Sequence, residues 1–470
     1  MKHKRQQRAL FIFRRDLRLD DNTGLIAALK KSEVVIPCFI FDPLQISQCN
    51  RFRSLSAVQF MVESLRDLDL KLKRRGGRLY MFYGPPDTVV RKLLNRYHID
   101  LVCMNRDYTP YSCERDQRIL DVCASRGVAC ESYDDVLLHA PGSIVKNDQT
   151  PYTIFTPFFK RAVRAKIRRP ESVPSSKFFS QTMIGNSPLF MDTVMPSYNK
   201  NIFVHGGRGH ARTIFKHFEK FMHYAVEHDF PALEKTTGLS AHLKFGTCSV
   251  REVYYAMVQK LGSSHPLVRQ LYWRDFFTQI AFHFPQVFGA PFYKKYETLS
   301  WQNNKKKFAA WCDGKTGFPI VDAGMRQLNA TGFMHNRVRM IVASFLVKDL
   351  HIDWRWGERY FATKLVDYDP AVNNGNWQWA ASTGCDAQPY FRIFNPWLQQ
   401  KKFDRDCVYI QRWVRELRSL SPRMIHALFK HPKDAPVGYP APIVDHDFEV
   451  RVAKASYAKA ICKAKKLGVH

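Results

Sequence analysis

The chain has 470 residues, 45% of them hydrophobic and 24% charged, which is the balance of a folded protein with two or three domains and argues against disorder. Its 72 lysines and arginines outnumber its 42 aspartates and glutamates, so the formal net charge is +30. A surplus of this size favours nucleic acid as the partner, ahead of an anionic membrane or of a merely soluble basic protein.

The sequence lacks the marks of a membrane or secreted protein. No apolar run approaches the length of a membrane span, and the N-terminal MKHKRQQR predicts a frayed terminus rather than a signal peptide or a basic localisation tag. The 11 cysteines are scattered without a Cys-x-x-Cys, which predicts a reducing compartment, no disulfide framework and no metal site. A cytoplasmic protein, associated with the nucleoid if it is bacterial, is therefore expected.

The first part of the chain alternates short apolar runs with longer amphipathic ones. A helix is predicted at 54–75, ended by Gly76-Gly77. The five apolar runs that predict buried strands are 9–13, 34–41, 78–84, 99–105 and 129–133. This alternation predicts a doubly wound parallel sheet in an α/β domain at 1–138. No Gly-x-Gly-x-x-Gly follows the first strand, so a nicotinamide cofactor is disfavoured, and FRRDLRLDDN (13–22) occupies the edge where such sheets bind ligands.

Helical patterns dominate the rest of the chain. A proline-rich connector with a basic patch is predicted at 139–201, followed by an all-helical domain at 202–470. Within that domain we expect helices at 206–228 and 335–350, and another after the capping box formed by Ser249 and Glu252.

Residues 316–396 form the densest stretch of Trp, Asn, Asp and Arg. Asn373, Asn374 and Asn376 stand between an Asp-Pro turn and the rings of Trp377 and Trp379. Amides beside large rings suit a pocket for a flat, polar-edged aromatic group. The same composition is equally consistent with a buried aromatic core and capped loops. The sequence motifs of hydrolases and of metal sites are missing, so a reaction that side chains alone cannot carry out should depend on a bound cofactor.

Several residues could hold such a cofactor, each with an ordinary alternative. A hydroxyl-rich turn could cradle a diphosphate or merely cap a helix. Arg274 and Arg339 could supply charge or lie on the surface, and Asp367 and Asp369 could face a ring or only form a turn. The turn consists of Thr236, Thr237, Gly238, Leu239 and Ser240.

Five motifs resemble those of the photolyase/cryptochrome family of blue-light flavoproteins, and the likeness runs over 10–446. They are FRRDLRLDDN, LYWRDFF, KTGFPIVDAGMRQLNATGFMHNRVRM, DWRWGERYF and NNGNWQWAASTG. The chain is most similar to bacterial-type (class I) enzymes that repair cyclobutane pyrimidine dimers. The resemblance implies a light-driven carbon–carbon lyase in which reduced FAD passes one electron to a flipped-out dimer and recovers it.

The resemblance also implies roles for residues around FAD. Asn373 would face the reactive edge of the flavin, and Trp377, Trp354 and Trp301 would relay electrons toward solvent. The positions implied to surround FAD are Tyr224, Thr236, Thr237, Gly238, Leu239, Ser240, Arg274, Asn336, Arg339, Asp367 and Asp369.

A DNA-binding face is implied in the same way. Trp273 and Trp379 would receive the flipped dimer, with Met340 lining the cavity. Arg337, Arg392 and Lys244 would hold phosphates of the damaged DNA. A monomer without membrane or metal partners is expected.

One departure bears on the substrate. Gln270 stands where dimer-repairing members usually carry a Glu that supports the dimer, and glutamine cannot supply an acidic proton. Gln270 is also what (6-4) photolyases and animal cryptochromes tend to have, whereas Met334 and Met340 replace the histidines expected of (6-4) enzymes. His335 could donate a proton or be structural. Dimer repair is the prediction, with (6-4) repair and cryptochrome-like signalling as alternatives, and the short tail after His446 disfavours signalling.

A second, antenna chromophore is less defined. The segment 105–116 resembles the edge of the family's antenna site, where Glu114 matches a carboxylate that contacts folate in some members. Cys113 replaces the usual Asn beside it. Methenyltetrahydrofolate, a deazaflavin or no antenna at all stay open.

Overall fold

A computed structural model describes residues 6–175 and 177–468, which fall into two compact units. The first unit comprises Met1–Lys200, Val204–Met222 and Thr237–His283. The second comprises Asn201–Phe203, His223–Thr236 and Phe284–His470. Residues 1–5 of the predicted frayed terminus and residues 469–470 of the tail lie outside the described residues.

The first unit is built on a parallel sheet. Its strands are β1 (Gln6–Phe13), β2 (Ser32–Phe41), β3 (Tyr80–Tyr83), β4 (Leu101–Asn105), β5 (Ala129–Tyr133) and β6 (Lys177–Phe178). The order is β3-β2-β1-β4-β5, with β6 also paired to β2, and every pairing is parallel. The chain thus reverses its winding direction between β1 and β4, so the predicted doubly wound sheet is confirmed.

Helices are numbered along the chain. The first twelve are α1 (Thr23–Lys31), α2 (Pro43–Ile46), α3 (Leu55–Lys73), α4 (Pro86–Arg96), α5 (Pro110–Ala124), α6 (Phe155–Ala162), α7 (Phe190–Val194), α8 (Arg208–Lys216), α9 (Tyr224–Glu227), α10 (Ser240–Phe245), α11 (Val250–Leu261) and α12 (Pro266–His283). All of them except α9 belong to the first unit. The predicted capping box is formed at α11, where Ser249 and Glu252 each bond the other's backbone.

The second unit contains helices and turns only, as far as its residues are described. Its helices are α9 and α13 (Lys305–Asp313), α14 (Pro319–Thr331), α15 (Asn336–Ser344), α16 (Trp354–Lys364), α17 (Pro370–Ala380), α18 (Pro396–Phe403), α19 (Val408–Trp413), α20 (Pro422–Ala427) and α21 (His446–Lys466). Its short 3-10 turns lie at Pro231–Leu233, Pro285–Phe288, Lys294–Tyr296, Arg415–Leu417 and Pro432–Asp434, and a π-helical turn follows α15 at Phe345–Asp349. A further 3-10 turn, at Phe218–Phe221, belongs to the first unit.

Two predicted elements differ from the structure. The single helix expected at 206–228 is divided into α8, a 3-10 turn and α9, because the backbone leaves the helical region at His217 and His223. The connector at 139–201 contributes α6, α7 and the two-residue β6, which is too short to show a period.

The compact units follow packing, whereas the predicted domain bounds follow the chain. Residues 237–283 belong to the first unit because they bond to the ends of its sheet. Arg251 donates to the backbone oxygen and the carboxylate of Asp135 at 2.9 and 2.8 Å, and Leu17 N donates to Phe245 O at 3.0 Å.

Helix α21 closes one side of the second unit's core through buried polar pairs. His351 Nε2 lies 2.7 Å from a Glu449 carboxylate oxygen, and Tyr457 donates its hydroxyl proton to Ala381 O at 2.5 Å. The buried Lys348 ammonium lies 3.6 Å from the centre of the Tyr457 ring, where it makes a cation–π contact.

No helix in the described part of the chain combines the length and apolar composition that a bilayer crossing requires. The 11 cysteines are free thiols. Over residues 6–175 and 177–468, no group of three or more His, Cys, Asp or Glu side chains is placed to hold a metal ion.

Candidate functional site

A fixed ion pair stands at the start of the motif-rich region of the second unit. Arg339, on α15, donates to both carboxylate oxygens of Asp367 at 3.0 and 3.2 Å and to Met334 O at 2.7 Å. Its guanidinium also lies 5.2 Å from the centre of the Phe333 ring. The pair is partly buried, so its charges are held in place without a large loss of side-chain entropy on ligand binding.

Asp369 is the N-cap of α17. Its carboxylate accepts from Ala371 N at 3.1 Å and from Val372 N at 3.3 Å, with Pro370 at the first helical position. Asp369 thus lies in the turn before Pro370 that was its ordinary alternative, and it caps the helix that carries Asn373.

Asn373 is held by a residue that the motifs did not single out. Its Nδ2 donates to the backbone oxygen of Glu358 at 3.2 Å and to Glu358 Oε1 at 3.3 Å. Glu358 is 8% exposed, and burial raises its pKa to about 7, although the hydrogen bond from Asn373 opposes that rise.

Two other predicted cofactor residues of the second unit, Tyr224 and Asn336, lie at the starts of helices. Tyr224 begins α9 and stacks on His228 with ring centres 4.8 Å apart, and burial raises its pKa to about 12. Asn336 is the exposed first residue of α15, and its Nδ2 lies 3.8 Å from Met340 Sδ. Thr236, the first residue of the predicted diphosphate turn, is half-buried.

The remaining residues of that turn, 237–240, and Arg274 belong to the first unit. Thr237 Oγ1 accepts from Leu239 N at 3.3 Å, and Gly238 adopts a φ of +67°, which a residue with a Cβ rarely adopts. Ser240 is exposed and begins α10. Arg274 donates to Val136 O at 2.5 Å and to Leu243 O at 3.3 Å, so its guanidinium has a defined position.

The three relay tryptophans share one aromatic region. Trp377 and Trp354 are each 2% exposed in the same core cluster, and Trp301 packs against that cluster from a partly exposed position. An added Cβ on Gly357 would lie 2.2 Å from Trp377 Cη2, so the ring packs directly against the backbone of α16, the helix that begins at Trp354.

Trp311 belongs to the same cluster and was missed. Its ring centre lies 6.2 Å from that of Trp377, and its Nε1 donates to Val342 O at 3.1 Å. It follows a lysine run outside the recognised motifs, so only its spacing on α13 could have indicated burial. Glu358 lies inside the recognised motif DWRWGERYF but was also missed, because a glutamate normally faces water.

On the first unit, two of the predicted DNA-facing residues lie on α12 and one lies on α10. Trp273 stacks on Phe155 with ring centres 3.6 Å apart at 7°, so one of its faces is already covered. Gln270 is exposed one turn earlier on the same helix. Lys244 is half-buried on α10, and its backbone oxygen accepts from Arg15 Nε at 3.2 Å.

On the second unit, the predicted phosphate ligands differ in their surroundings. Arg337 forms a two-point ion pair with Asp229, at 3.1 and 2.7 Å, whereas Arg392 is exposed. Met340 and Trp379 are partly buried. Nearby His335 is the N-cap of α15, and burial lowers its pKa to about 4, so at neutral pH it is an uncharged structural group.

The predicted antenna residues Cys113 and Glu114 are exposed on α5. Partial burial raises the pKa of the Cys113 thiol, which disfavours thiolate chemistry there. Beneath them, Arg15 pairs with Asp107 at 2.9 Å at the carboxyl ends of β1 and β4. This is the edge where ligands bind in doubly wound sheets, and folate, deazaflavin or no antenna stay as predictions.

The comparisons with known proteins bear on the whole chain. Residues 267–459 match a family model described as the FAD binding domain of DNA photolyase, and residues 9–175 match one described as DNA photolyase. The deoxyribodipyrimidine photo-lyase of Escherichia coli is 38% identical over 474 residues, covering 96% of this chain and 98% of that protein. The chain belongs to the DNA photolyase family.

Solved photolyase structures agree with this assignment. An archaeal photolyase from Sulfolobus tokodaii, solved with two FAD molecules, is 44% identical with a TM-score of 0.88, covering 96% of this chain and 100% of that one. A class III photolyase from Agrobacterium tumefaciens is 35% identical with a TM-score of 0.90, covering 98% of each chain. The predicted family, the α/β plus helical fold and the FAD-binding domain of photolyases are thereby confirmed.

Proposed function

We propose that this protein is a DNA repair lyase that uses light to split cyclobutane pyrimidine dimers. The observation that carries the proposal is the likeness to the Escherichia coli deoxyribodipyrimidine photo-lyase over 96% of this chain. FAD, when bound in its reduced form and excited by blue light, supplies one electron to the dimer and takes it back after the ring has opened.

The second unit offers the polar groups that a flavin ring needs. An isoalloxazine edge carries both N–H donors and oxygen and nitrogen acceptors, which a carboxylate, a guanidinium and an amide can match. Asp367, Arg339 and Asn373 supply these groups, and His335 Nε2 is a buried ring nitrogen without a partner among the described residues. Thr236, Thr237, Ser240 and Arg274 stay the predicted ligands of the remainder of FAD.

The aromatic residues support an electron relay. Indole is the most readily oxidised of the common side chains, and a buried ring exchanges electrons over short steps without reorganising water. Trp377 and Trp354 are buried in one cluster, and Trp301 is partly exposed at its margin. We infer that the relay runs from Trp377 through Trp354 to Trp301, and that the positive charge left on the last tryptophan is in contact with solvent.

The substrate-facing residues support binding of a flipped-out pyrimidine dimer. Trp273 and Trp379 are only partly buried, so each retains accessible ring surface for stacking. The net charge of +30 supports sequence-independent affinity for the DNA backbone. Damaged bases are the easiest to extrude because their stacking is already weak.

Lesion repair tests the proposal directly. Flavin-containing protein is mixed with DNA that carries either cyclobutane dimers or (6-4) photoproducts, and each mixture is kept in darkness or under blue light. Loss of cyclobutane dimers in light alone is the expected result. A colourless, flavin-free preparation obtained under mild conditions would contradict the proposal.

The second candidate is (6-4) repair, which the exposed Gln270 on α12 favours. Glutamine cannot release a proton to a dimer, so an enzyme that relies on an acidic group at this position would be impaired. Loss of (6-4) photoproducts without loss of cyclobutane dimers would identify this candidate in the same experiment.

A further inference from the structure

Helix α21 carries an exposed basic face beyond its first turn. The sequence contains no Asp or Glu from Val450 to His470. Within the described part of the chain, α21 pairs with charged groups only at its start, through His446 and Glu449. The basic residues of the helix beyond Glu449 are all exposed, and they are Arg451, Lys454, Lys459, Lys463, Lys465 and Lys466.

These basic residues lie on the side of α21 that faces away from the core. The buried residues of the same stretch are Ala453, Tyr457, Ala460 and Ala464. At about 3.6 residues per turn these residues share one side, and the cations fall within about the opposite half of the helix. Ala455 and Ala458, which stand among the cations, are also exposed and have small side chains. The basic face of α21 is thus a positive stripe roughly 22 Å long at 1.5 Å per residue.

Ordinary features of helices account for only part of this stripe. The lysines of the last turn are favoured there by the helix dipole. Arg451 and Lys454 lie earlier and only three residues apart, and Lys459 and Lys463 lie four apart, so these like charges repel. A surface that only meets water usually intersperses both signs, whereas a surface that binds a polyanion keeps one sign.

The basic face lies beside a segment that carries a predicted phosphate ligand. Tyr457 of α21 stacks on Tyr390 with ring centres 5.7 Å apart at 3°, and its hydroxyl donates to Ala381 O at 2.5 Å. Arg392 is exposed two residues after Tyr390. The helix therefore packs against the segment from which Arg392 projects.

We propose that the basic face of α21 binds phosphates of the undamaged duplex beside the lesion, and so continues the contact that Arg392 begins. The inference rests on the proposed function, in which Arg392 holds a phosphate of the damaged DNA. Each lysine that meets a phosphate releases condensed counterions, so the contact adds affinity that is independent of sequence and falls with salt. A duplex held along α21 keeps the protein on DNA while it carries no lesion in its cavity.

An anionic membrane is the other polyanion that a basic helix could meet. Helices that lie on membranes insert an apolar side into the lipid. The apolar side of α21 is buried in the protein, where Ala453 and Tyr457 are 1% and 2% exposed. The large exposed apolar residues Phe448 and Leu467 stand at the two ends of the helix. Duplex DNA therefore fits this face better than a membrane does.

The test compares the salt dependence of binding to an undamaged duplex. Arg451→Gln, Lys454→Gln and Lys459→Gln are combined in one variant, because they lie outside the last turn and glutamine is a good helix former. The slope of log affinity against log salt should fall by about 2, the value expected for two lost phosphate contacts. Fluorescence anisotropy with flavin-loaded protein measures the slope.

A second triple variant controls for the loss of net charge. It removes three exposed lysines of the first unit that carboxylates already neutralise, so its slope should stay near that of the wild type. The substitutions are Lys30→Gln, Lys31→Gln and Lys260→Gln, and the carboxylate partners are Glu171, Glu131 and Glu219.

Cys462 provides a readout that does not depend on affinity. It is exposed among the cations of α21, and the other exposed cysteines of the described residues are Cys49 and Cys113. In protein that carries Cys49→Ser and Cys113→Ser, a photo-crosslinker attached to Cys462 should join the DNA strand beside the dimer of a duplex that contains one cyclobutane dimer.

The outcomes separate the two proposals. A slope equal to that of the wild type in the α21 variant, an equal fall in both triple variants, or no crosslink from Cys462 would each overturn the role of α21. Weaker binding of the α21 variant to phosphatidylserine vesicles with an unchanged slope on DNA would overturn it too, and would assign the basic face to membranes. Should the triple variant not fold, Lys454→Gln combined with Lys459→Gln should lower the slope by about 1. Failure of the wild type to remove dimers in light would overturn the proposed repair function, while the slope on undamaged DNA still decides the role of α21.

Discussion

At the scale of single residues, Trp377 is a closely confined member of the proposed relay. Its ring packs on the backbone at Gly357 and meets Phe361 edge-on, with ring centres 5.0 Å apart. A ring so enclosed keeps one orientation and lies outside water, two conditions that a step between neighbouring indoles requires. Trp311 meets the same conditions and provides a neighbouring indole 6.2 Å away.

We predict that Trp377→Phe slows photoreduction of oxidised flavin at least tenfold while repair by pre-reduced enzyme stays nearly intact. Phenylalanine fills much of the same space but is far harder to oxidise, so the loss should be electronic rather than structural. Flash photolysis measures the first quantity, and lesion repair in light measures the second.

Trp397→Phe serves as the control for that substitution. Trp397 is buried against Phe318 in the same core, at 5.0 Å between ring centres, and has no proposed part in the relay. Equal loss of photoreduction and repair in Trp377→Phe, or an equal effect of Trp397→Phe, would argue against the relay.

Which residues matter could be predicted from motifs, but their partners could not. Asn373 and Arg337 stand inside recognised segments. The groups that contact them lie 15 and 108 residues away: Glu358 in another recognised motif and Asp229 outside the motifs. Such pairs are set by how helices pack, and a single sequence carries no record of that packing. Arg337 was therefore predicted as a phosphate ligand without its ion pair to Asp229 being foreseen.

At the scale of elements, the N-terminus of α14 is fastened by one carboxylate. Asp322 accepts from Thr316 N and Thr316 Oγ1, each at 2.7 Å, from Gly317 N at 3.0 Å and from the Tyr439 hydroxyl at 2.8 Å. Burial raises its pKa to about 6, but four converging donors are best satisfied by the ionised form. The loop before the helix and the distant segment at Tyr439 are thus joined at one point.

We predict that Asp322→Asn destabilises the protein by about 2–4 kcal/mol, because the amide replaces one acceptor with a donor and leaves buried donors unpaired. Thermal unfolding followed by circular dichroism measures the loss. Glu416→Gln removes a partly exposed carboxylate that pairs with Arg326 on the same helix, and should cost less than about 1 kcal/mol. Equal costs for the two variants would show that the four-donor arrangement adds nothing.

Element boundaries illustrate what periodicity can and cannot predict. Five of the six strands of the sheet, and helix α3, lie where the apolar spacing of their residues predicts them, since burial imposes that spacing. The π-helical turn after Ser344 continues the apolar face of α15. The sequence pattern therefore gave no sign that α15 ends at Ser344, and one helix was predicted at 335–350. Its change of hydrogen bonding brings Lys348 to the Tyr457 ring, which is a tertiary effect.

At the scale of the whole molecule, charge dominates the expected behaviour toward DNA. The formal net charge of +30 attracts the phosphate backbone irrespective of sequence, so specificity must come from the extruded lesion. The predicted phosphate ligands do not contribute equally, because Arg337 is neutralised by Asp229 and Arg392 has no ion pair within the described residues.

We predict that affinity for undamaged duplex DNA falls roughly tens of fold between 50 and 200 mM salt, as expected for about three neutralised phosphates. Arg392→Gln should reduce the slope of log affinity against log salt by about 1. Arg412→Gln is the control, since that exposed arginine is paired with Glu234. Fluorescence anisotropy measures both slopes, and an unchanged slope in Arg392→Gln would remove Arg392 from the DNA contacts.

The polar pairs that tie α21 to the second unit bear on how the protein is made. His351 contacts Glu449, and Ala381 contacts Tyr457. In each pair the second residue is translated some seventy to a hundred residues after the first. Until then the surface that α21 covers is open to water and to other nascent chains. Synthesis of this protein should therefore be most vulnerable to aggregation late in elongation, when chaperone binding would protect that uncovered surface.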